Sequence, residues 1–268
     1  MVSQEHSPKH PEAFRITRLI AQDFDGTIAQ TFQKSPNGIG VDEATEIAVD
    51  QLFGPSNADT YKKNGGLRNR APLEVVQELS PGVSNQEIET LLTGLIVNKL
   101  DILTAEIGTR FNDGSIWPRP VAGYVEFLEN LEHARTEGQY IDSLILSSGH
   151  EAFIKKIYSA WNVQEPDYIT AQETTVQHGL GHVVKPDSTL MKLAHTIWAE
   201  SYGIRPSFIG FQVMKGRTVY VGDDDAKDGQ LARNSGVTFA HIDPADTAHS
   251  WEKISRQLKM KNDNYGNA

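Results

Sequence analysis

Short runs of apolar residues alternate with segments of helical periodicity along the second half of the chain. The apolar runs predict five β-strands, at residues 16–22, 143–147, 167–170, 218–222 and 237–242. Between the third and fourth runs, apolar residues repeat at i, i+3, i+4, i+7 and i+8, which is one face of a helix; they are Leu190, Leu193, Ala194, Ile197 and Trp198. Strands that alternate with helices are typical of a parallel sheet, so the pattern predicts an α/β fold with a Rossmann-like core.

The long stretch between the first and second predicted strands has a different pattern. Residues 41–54, 71–79 and 81–103 are predicted to form amphipathic helices, and the last of these opens with a capping box, Ser84-x-x-Glu87. Segments rich in glycine and proline, 33–40 and 112–120, flank this helical stretch. We therefore expect a helical cap domain at 33–117, inserted into an α/β core formed by 15–32 and 118–262. Residues 1–14 are expected to form a disordered tail, and residues 263–268 are expected to form a short tail.

Composition narrows the classes of partner. The chain of 268 residues has 35 acidic and 25 basic residues, a formal charge of −10, which argues against nucleic-acid binding. It has no cysteine, so any metal must bind oxygen or histidine. Residues 1–14 lack the apolar core of a signal peptide, and no apolar run is long enough to cross a membrane. We expect a cytoplasmic protein, a monomer or weak dimer, that has no membrane partner and acts on a small substrate.

Polar residues follow several of the predicted strands. Because ligands of open parallel sheets bind beyond the carboxyl ends of the strands, these positions are the candidate site. They are Asp23, Asp25, Gly26 and Thr27 after the first strand, Ser147, Ser148 and Gly149 around the end of the second, and Asp223, Asp224 and Asp225 after the fourth. Lys185 precedes the helix that leads to the fourth strand and can reach the same edge.

The segment "LIAQDFDGTIAQT" delivers two like charges to one place. Asp23 and Asp25 point to the same side of an extended chain, and two carboxylates about 4 Å apart repel by about 4 kcal/mol at an effective dielectric constant near 20. A metal ion is the obvious group to neutralise them.

Four segments in order, "DFDGT", "LILSSG", "VKP" and "GDDDAKD", resemble the motifs of the haloacid dehalogenase (HAD) superfamily. The helical insertion after the first motif resembles the subgroup that contains phosphoglycolate phosphatase and β-phosphoglucomutase. This resemblance implies that Asp23 is the nucleophile that becomes an aspartyl-phosphate, and that Asp25 is the general acid and base.

The resemblance also implies a Mg²⁺ site and a phosphate site. The carboxylates of Asp23 and Asp223 and the backbone carbonyl of Asp25 would hold Mg²⁺, with Asp228 as a second acidic position in the outer shell. Ser147 and Lys185 would bind the transferring phosphoryl group, with Ser148 and Gly149 in the phosphate-binding turn.

Some assignments stay open at the level of sequence. Asp224 and Asp228 satisfy a closer spacing of the acidic pair, so Asp224 competes with Asp223 for the primary metal role. The two histidines nearest the motifs, His150 and His182, are interpreted as surface or loop residues. The basic cluster Lys62, Lys63, Arg68 and Arg70 is interpreted as a solvated face, with contact to an anionic substrate as the alternative.

The sequence therefore predicts a Mg²⁺-dependent phosphatase that acts on a small phosphorylated metabolite. An aspartate two residues after the nucleophile is, by the resemblance, typical of phosphatases and phosphomutases and not of dehalogenases. A phosphomutase of the β-phosphoglucomutase type remains an alternative, as does a non-catalytic binding protein on the same scaffold.

Overall fold

The computed structural model describes residues 11–14, 16–66, 72–112, 116–181, 183–205 and 208–260. The chain divides into two compact units, one made of residues 1–30 and 120–268 and the other of residues 31–119. The expected boundaries of the insertion, 33 and 117, lie just inside these limits. Among the described residues, no helix combines the length and the apolar character needed to cross a membrane.

The larger unit is built on a five-stranded sheet in which every pairing is parallel. The strands are β1 (Arg18–Gln22), β2 (Ile141–Leu146), β3 (Tyr168–Thr170), β4 (Thr218–Gly222) and β5 (Thr238–His241). Their order across the sheet is β3-β2-β1-β4-β5. The central strands carry runs of apolar residues because both of their faces are buried, with residues 19–21 in β1 and 144–146 in β2. The predicted α/β class is confirmed.

The helices of this unit precede, connect and follow the strands. They are α1 (Pro11–Phe14), α6 (Tyr124–Thr136), α7 (Glu151–Trp161), α8 (Gln172–Gln177), α9 (Thr189–Ser201), α10 (Phe208–Arg217), α11 (Gln230–Ser235) and α12 (Thr247–Met260), together with a π-helical turn at Asp225–Gly229. The apolar face predicted at 190–198 lies in α9, where Trp198 is fully buried and belongs to the same core cluster as Leu19 and Leu144. The core therefore forms where the apolar stripe of a helix meets the apolar sheet.

The start of the chain differs from the expectation of a tail over 1–14. Pro11–Phe14 is a helical turn, and Phe14 packs against Trp198 and Tyr202 at ring-centroid distances of 4.8 and 5.2 Å. Burial of this apolar ring explains why the chain is ordered here. Residues 1–10 and the expected tail at 263–268 lie outside the described residues.

The inserted unit is helical. Its helices are α2 (Val41–Phe53), α3 (Pro55–Lys63), α4 (Pro72–Leu79) and α5 (Asn85–Asn112). The capping box is present at the start of α5, because Glu87 Oε2 accepts the Ser84 N–H at 2.9 Å and Ser84 Oγ accepts the Glu87 N–H at 3.4 Å. Helix α3 was not expected: its sequence, PSNADTYKK, is mostly polar, and Tyr61 and Ala58 are its buried residues.

Candidate active site

Asp23 stands directly after β1. Its N–H donates to the Val221 carbonyl at 2.8 Å, so the parallel ladder between β1 and β4 carries the chain one residue beyond the strand before it turns away. The residue is 8% exposed, and its Oδ1 accepts a hydrogen bond from Nζ of Lys185. The sheet therefore presents this carboxylate at its carboxyl edge in contact with a lysine.

Lys185 connects two acids that are far apart in sequence. Besides Asp23, its Nζ donates to Asp228 Oδ1 at 2.8 Å, and the lysine side chain is only 7% exposed. Its Nζ also lies 5.7 Å from the centre of the Tyr220 ring. The buried ammonium group of Lys185 thus joins the carboxylate of Asp23, which follows β1, to the carboxylate of Asp228 in the π-helical turn.

Asp228 is the most buried acid of the site. Its Oδ1 accepts the Tyr220 hydroxyl at 2.8 Å in addition to Lys185, and its Oδ2 accepts the Asp224 N–H at 3.3 Å. It packs directly on β4 at Gly222, where a Cβ atom would lie 2.4 Å from the Asp228 Cβ. Only glycine leaves room for this approach, so the "GD" step of the sequence positions Asp228 as well as Asp223.

Asp223 reaches the site from the end of β4. Thr27 Oγ1 donates to its Oδ1 at 2.7 Å. Gly26 has a φ of +84°, and a Cβ atom there would lie 2.7 Å from Asp223 Oδ2. The Gly-Thr pair that follows the two aspartates of the first motif therefore makes room for Asp223 and binds it.

One oxygen each of Asp23, Asp223 and Asp228 lies within 4.8 Å of the others, an arrangement that could hold a metal ion. These are three of the four residues predicted as metal ligands. The fourth, Asp25, was predicted through its backbone carbonyl. Its half-buried side chain faces the second motif, since a Cβ atom on Gly149 would lie 3.8 Å from Asp25 Oδ2.

The local backbone gives Asp223 and Asp224 different surroundings. Asp224 Oδ1 accepts the N–H groups of Ala226 and Lys227 at 2.9 and 3.1 Å, so it caps the π-helical turn. Asp225 is exposed and pairs with Arg233. Asp223, and not Asp224, belongs to the acidic group.

Burial dominates the electrostatics of this group. It raises the pKa of Asp23 to about 8, which Lys185 opposes and the neighbouring Asp228 and Asp25 reinforce. Burial by itself would lower the pKa of Lys185. The attraction of Asp23 and of the other groups around the Lys185 ammonium instead raises that pKa well above its ordinary value. Burial also raises the pKa of Asp223, although the hydrogen bond from Thr27 works against the rise.

The second motif forms a tight turn after β2. Ser147 is buried, its N–H donates to the Thr170 carbonyl at 3.0 Å, and its Oγ accepts the Gly149 N–H at 2.9 Å. Ser148 is exposed. The turn thus stands at the same carboxyl edge as Asp23, with its glycine next to the Asp25 carboxylate.

His150 lies in a loop, as one of the two interpretations has it, but it is buried and not on the surface. His150 is 7% exposed, and its Nδ1 is hydrogen-bonded to Glu173 Oε1 at 3.1 Å. Glu173 Oε2 also accepts the Glu151 N–H at 3.1 Å, and the Gln172 N–H donates to the Gly149 carbonyl at 3.1 Å. The start of α8 therefore covers the turn of the second motif. His182 lies outside the described residues.

Sequence reasoning missed Glu173 and Tyr220. Tyr220 was included in a strand only as an apolar residue, and Glu173 lies in a short helix that has no apolar periodicity. The alternation of side chains along β4 was the available signal for Tyr220, because it places Tyr220 on the face opposite to Val219 and Val221.

In the basic cluster of the inserted unit, Lys62 is paired with Glu46 of α2 and Lys63 is exposed. This pairing accounts for Lys62 without a substrate. Arg68 and Arg70 lie outside the described residues.

Comparison with known proteins gives matches among solved structures. No family model matches the chain, and no curated protein matches it. YfnB from Bacillus subtilis, described as a HAD hydrolase and solved with magnesium, is 13% identical, with a TM-score of 0.47 and coverage of 91% of this chain and 99% of that one. CbbY from Rhodobacter sphaeroides, solved with phosphate, is 15% identical, with a TM-score of 0.48 and coverage of 83% and 84%.

Dehalogenases are also among the matches. The L-2-haloacid dehalogenase from Xanthobacter autotrophicus is 16% identical, with a TM-score of 0.42 and coverage of 84% of this chain and 77% of that one. HAD-superfamily hydrolases are thus among the solved structures that this chain is similar to.

Proposed function

We propose that this chain is a Mg²⁺-dependent phosphomonoester hydrolase of the HAD superfamily that works through an aspartyl-phosphate on Asp23. The observation that carries the proposal is the contact between Asp23 and Lys185 at the carboxyl edge of the sheet, beside two further acids. The arrangement combines a carboxylate nucleophile, a cation for the phosphoryl oxygens and oxygen ligands for a metal.

The donor set fits a hard divalent cation. Three carboxylates each place one oxygen within 4.8 Å of the others, and the absence of a side chain at Gly26 leaves room for Asp223. Mg²⁺ prefers such oxygen ligands. We assign Asp23, Asp223, Asp228 and the carbonyl of Asp25 as the residues that would hold it. When bound, the ion supplies positive charge that favours ionised Asp23 and stabilises the charge of the transferring phosphoryl group.

The residues of the chain then have distinct tasks. An oxygen of Asp23 forms a bond to phosphorus while the bond from phosphorus to the leaving alcohol oxygen breaks. Lys185 and Ser147 bind phosphoryl oxygens, with Ser148 and Gly149 in the turn that surrounds them. Lys185 also orients Asp23 by donating to its Oδ1, which distinguishes the two oxygens of the nucleophile.

Asp25 completes both half-reactions. In its protonated form it donates a proton to the leaving alcohol oxygen, and its carboxylate then takes a proton from a water molecule. That water attacks phosphorus, the bond to Asp23 breaks, and inorganic phosphate and the free carboxylate are released. The half-buried position of Asp25, facing Gly149 of the phosphate turn, supports this role.

The substrate that we propose is a small phosphorylated metabolite of the cytoplasm. The presence of Asp25 supports phosphate transfer over dehalogenation, by the resemblance of the first motif. A phosphomutase would use the same residues and differ in the group that accepts the phosphoryl, so the experiment has to include it.

The test is a panel of phosphomonoesters incubated with the protein and Mg²⁺ while inorganic phosphate is measured. Parallel reactions contain 2-haloacids, with halide measured, and sugar 1-phosphates, with sugar 6-phosphate measured. We expect phosphate release and, after an acid quench, a covalent phosphate adduct that hydroxylamine removes. Asp23→Asn should form no adduct.

A matched control is available in the same loop. Asp225→Asn changes an exposed aspartate that pairs with Arg233 and does not belong to the acidic group, so it should keep the activity of the wild type. Halide release without phosphate release would contradict the proposal. Conversion of a sugar 1-phosphate with no net phosphate release would replace hydrolysis by mutase chemistry.

A further inference from the structure

Tyr220 contributes a buried hydroxyl to the acidic group, although it lies outside the four motifs. The residue is fully buried in β4, and its hydroxyl donates to Asp228 Oδ1 at 2.8 Å. The same oxygen accepts Lys185 Nζ at 2.8 Å. Two donors therefore converge on one carboxylate oxygen.

The lone pairs of the three carboxylates are not equally occupied. A carboxylate oxygen can accept about two hydrogen bonds. Asp23 Oδ1 accepts Lys185 and Asp223 Oδ1 accepts Thr27, so each of these oxygens can take one more partner. Asp228 Oδ1 accepts both Lys185 and Tyr220 and is saturated, whereas among the described residues Asp228 Oδ2 accepts only the Asp224 N–H, at 3.3 Å.

We infer that Tyr220 is a positioning residue that restricts Asp228 to a single metal-binding oxygen, Oδ2, and thereby makes the site selective for Mg²⁺ over Ca²⁺. The inference rests on the proposed function, because it concerns the same metal site. Mg²⁺ demands near-ideal octahedral geometry with short bonds, while Ca²⁺ takes 6 to 8 oxygens and accepts both oxygens of one carboxylate. Occupying Oδ1 with a hydroxyl removes the second oxygen that Ca²⁺ would use.

Tyr220→Phe is a specific test of this role. It removes the hydroxyl and keeps the ring over which the Lys185 ammonium lies, so that the contact at 5.7 Å is retained. Loss of a hydrogen bond to a metal ligand typically costs 10- to 100-fold in metal affinity. We expect Mg²⁺ binding to weaken about tenfold, and Ca²⁺ binding to weaken less or to strengthen, because Asp228 Oδ1 regains a lone pair.

Tyr202→Phe is the matched control. Tyr202 is also a buried tyrosine of the same unit, and its hydroxyl also donates to an aspartate at 2.8 Å, in this case Asp142 Oδ2. Asp142 does not belong to the acidic group. The control therefore matches the lost hydrogen bond while leaving the metal ligands in place.

The experiment is isothermal titration calorimetry of the metal-free wild type and of both variants with Mg²⁺ alone and with Ca²⁺ alone. The measured quantity is the ratio of the two dissociation constants, with circular dichroism as the check of folding. We expect the ratio to shift toward Ca²⁺ in Tyr220→Phe, by about tenfold where Ca²⁺ binding is unchanged, and to stay at the wild-type value in Tyr202→Phe. A second variant, Tyr220→Leu, also lacks the hydroxyl and should shift the ratio in the same direction.

The outcomes separate this inference from the proposed function. An unchanged ratio in Tyr220→Phe, or an equal shift in Tyr202→Phe, overturns the role of Tyr220 while the metal site stands. A wild type that binds neither ion contradicts the metal site and with it the proposed function. Phosphate release by the wild type under Mg²⁺, measured in parallel, tests the proposed function independently of the ratio.

Discussion

At each of the two ends of the parallel sheet, a buried aspartate accepts a hydrogen bond from a tyrosine hydroxyl. At the amino end, Asp142 of β2 is 5% exposed and accepts Tyr202 at 2.8 Å. At the carboxyl end, Asp228 is 1% exposed and accepts Tyr220 at 2.8 Å. Residue type, burial and the length of the hydrogen bond are therefore nearly the same at the two positions.

The two aspartates differ in their other partners. Asp142 Oδ2 also accepts the neutral indole N–H of Trp198 in α9 at 2.8 Å and the Tyr168 hydroxyl of β3 at 3.5 Å, and Tyr202 directly follows α9. Asp228 instead shares Lys185 with Asp23 and lies near Asp223. Neutral donors at Asp142 tie the end of α9 to the sheet, whereas crowded charges cost stability and supply reactive groups. The surroundings of a buried aspartate, and not its burial, indicate its role.

The largest expected effect is that of Asp23→Asn on activity. An amide is too poor a nucleophile to attack phosphorus, so phosphate release should fall by roughly 10⁵-fold or more, as when other covalent nucleophiles are removed. Asp142→Asn should keep the activity per folded molecule, since it changes the opposite end of the sheet. Initial rates corrected for folded protein check both expectations.

The substitutions Asp23→Asn and Asp142→Asn should change the free energy of unfolding in opposite directions. Without divalent ions, Asp23→Asn replaces a carboxyl group whose pKa burial raises to about 8 by a neutral amide that costs less to bury, so its free energy of unfolding near pH 7 should rise. Asp142→Asn should lower that free energy by about 1–3 kcal/mol, because the amide oxygen is a weaker acceptor than a carboxylate oxygen for the buried donors Tyr202 and Trp198. Urea titrations measure both changes. If Asp142→Asn were neutral and Asp23→Asn destabilising, the contrast between the two ends would be refuted.

Asp25→Asn should have a smaller effect that depends on the substrate. Loss of acid and base assistance typically costs 10²- to 10⁴-fold, and this loss should appear with an alkyl phosphate. Nitrophenyl phosphate has a leaving group that needs little protonation, so its loss should be smaller. Rates on the two substrates check this, and equal losses would point to a metal-binding or structural role for Asp25.

The amino end should show its own pH dependence through His195 of α9. Its Nε2 is hydrogen-bonded to Thr218 Oγ1 at 2.9 Å, and that hydroxyl donates to the Met214 carbonyl at 2.8 Å, so the imidazole is the donor in its neutral form. Burial, with a smaller effect of Lys215, lowers the pKa of His195 from 6.5 to about 4. As the pH falls, His195 therefore binds a proton at a higher pH in the unfolded chain than in the folded protein.

Above pH 6.5, the contribution of His195 to the free energy of unfolding is fully present. As the pH falls from 6.5 toward 4, this contribution is lost, and the loss levels off near pH 4. The full loss is about 3 kcal/mol, at about 1.4 kcal/mol for each unit of pKa. His195→Gln keeps a donor and cannot titrate, so its stability should depend less on pH over this window. Urea titrations at several pH values compare the two proteins, and parallel curves would rule out His195 as the source.

The smallest expected effect is the stabilisation by Mg²⁺. Binding to the folded state alone adds about 2.7 kcal/mol at a concentration 100 times the dissociation constant. The rise in Tm should be the same in wild type and Asp142→Asn and should be absent in Asp223→Asn, because only the last variant changes the acidic group. A rise of equal size in Asp223→Asn would show that the ion acts elsewhere.

The elements of the core could be predicted because their signals are local. Strand β4 coincides with its predicted range, and β1 begins two residues later than predicted and ends at the predicted residue, since a strand buried on both faces is rich in apolar residues at successive positions. Helix α3 escaped prediction because its nine residues bury little apolar surface, so it carries almost no periodic signal.

The sequence by itself determined the alternation of strands and helices and the arrival of Asp23, Ser147 and Asp223 at one edge, because strand ends in a parallel sheet share that edge. Tertiary structure decided the contacts among distant residues. Sequence spacing admits Asp223 and Asp224 equally, and only the π-helical turn, which Asp224 caps, assigns Asp223 to the acidic group. Likewise, the burial of His150 under α8 and the bond from Tyr220 to Asp228 depend on packing between segments, which no local pattern of apolar and polar residues encodes.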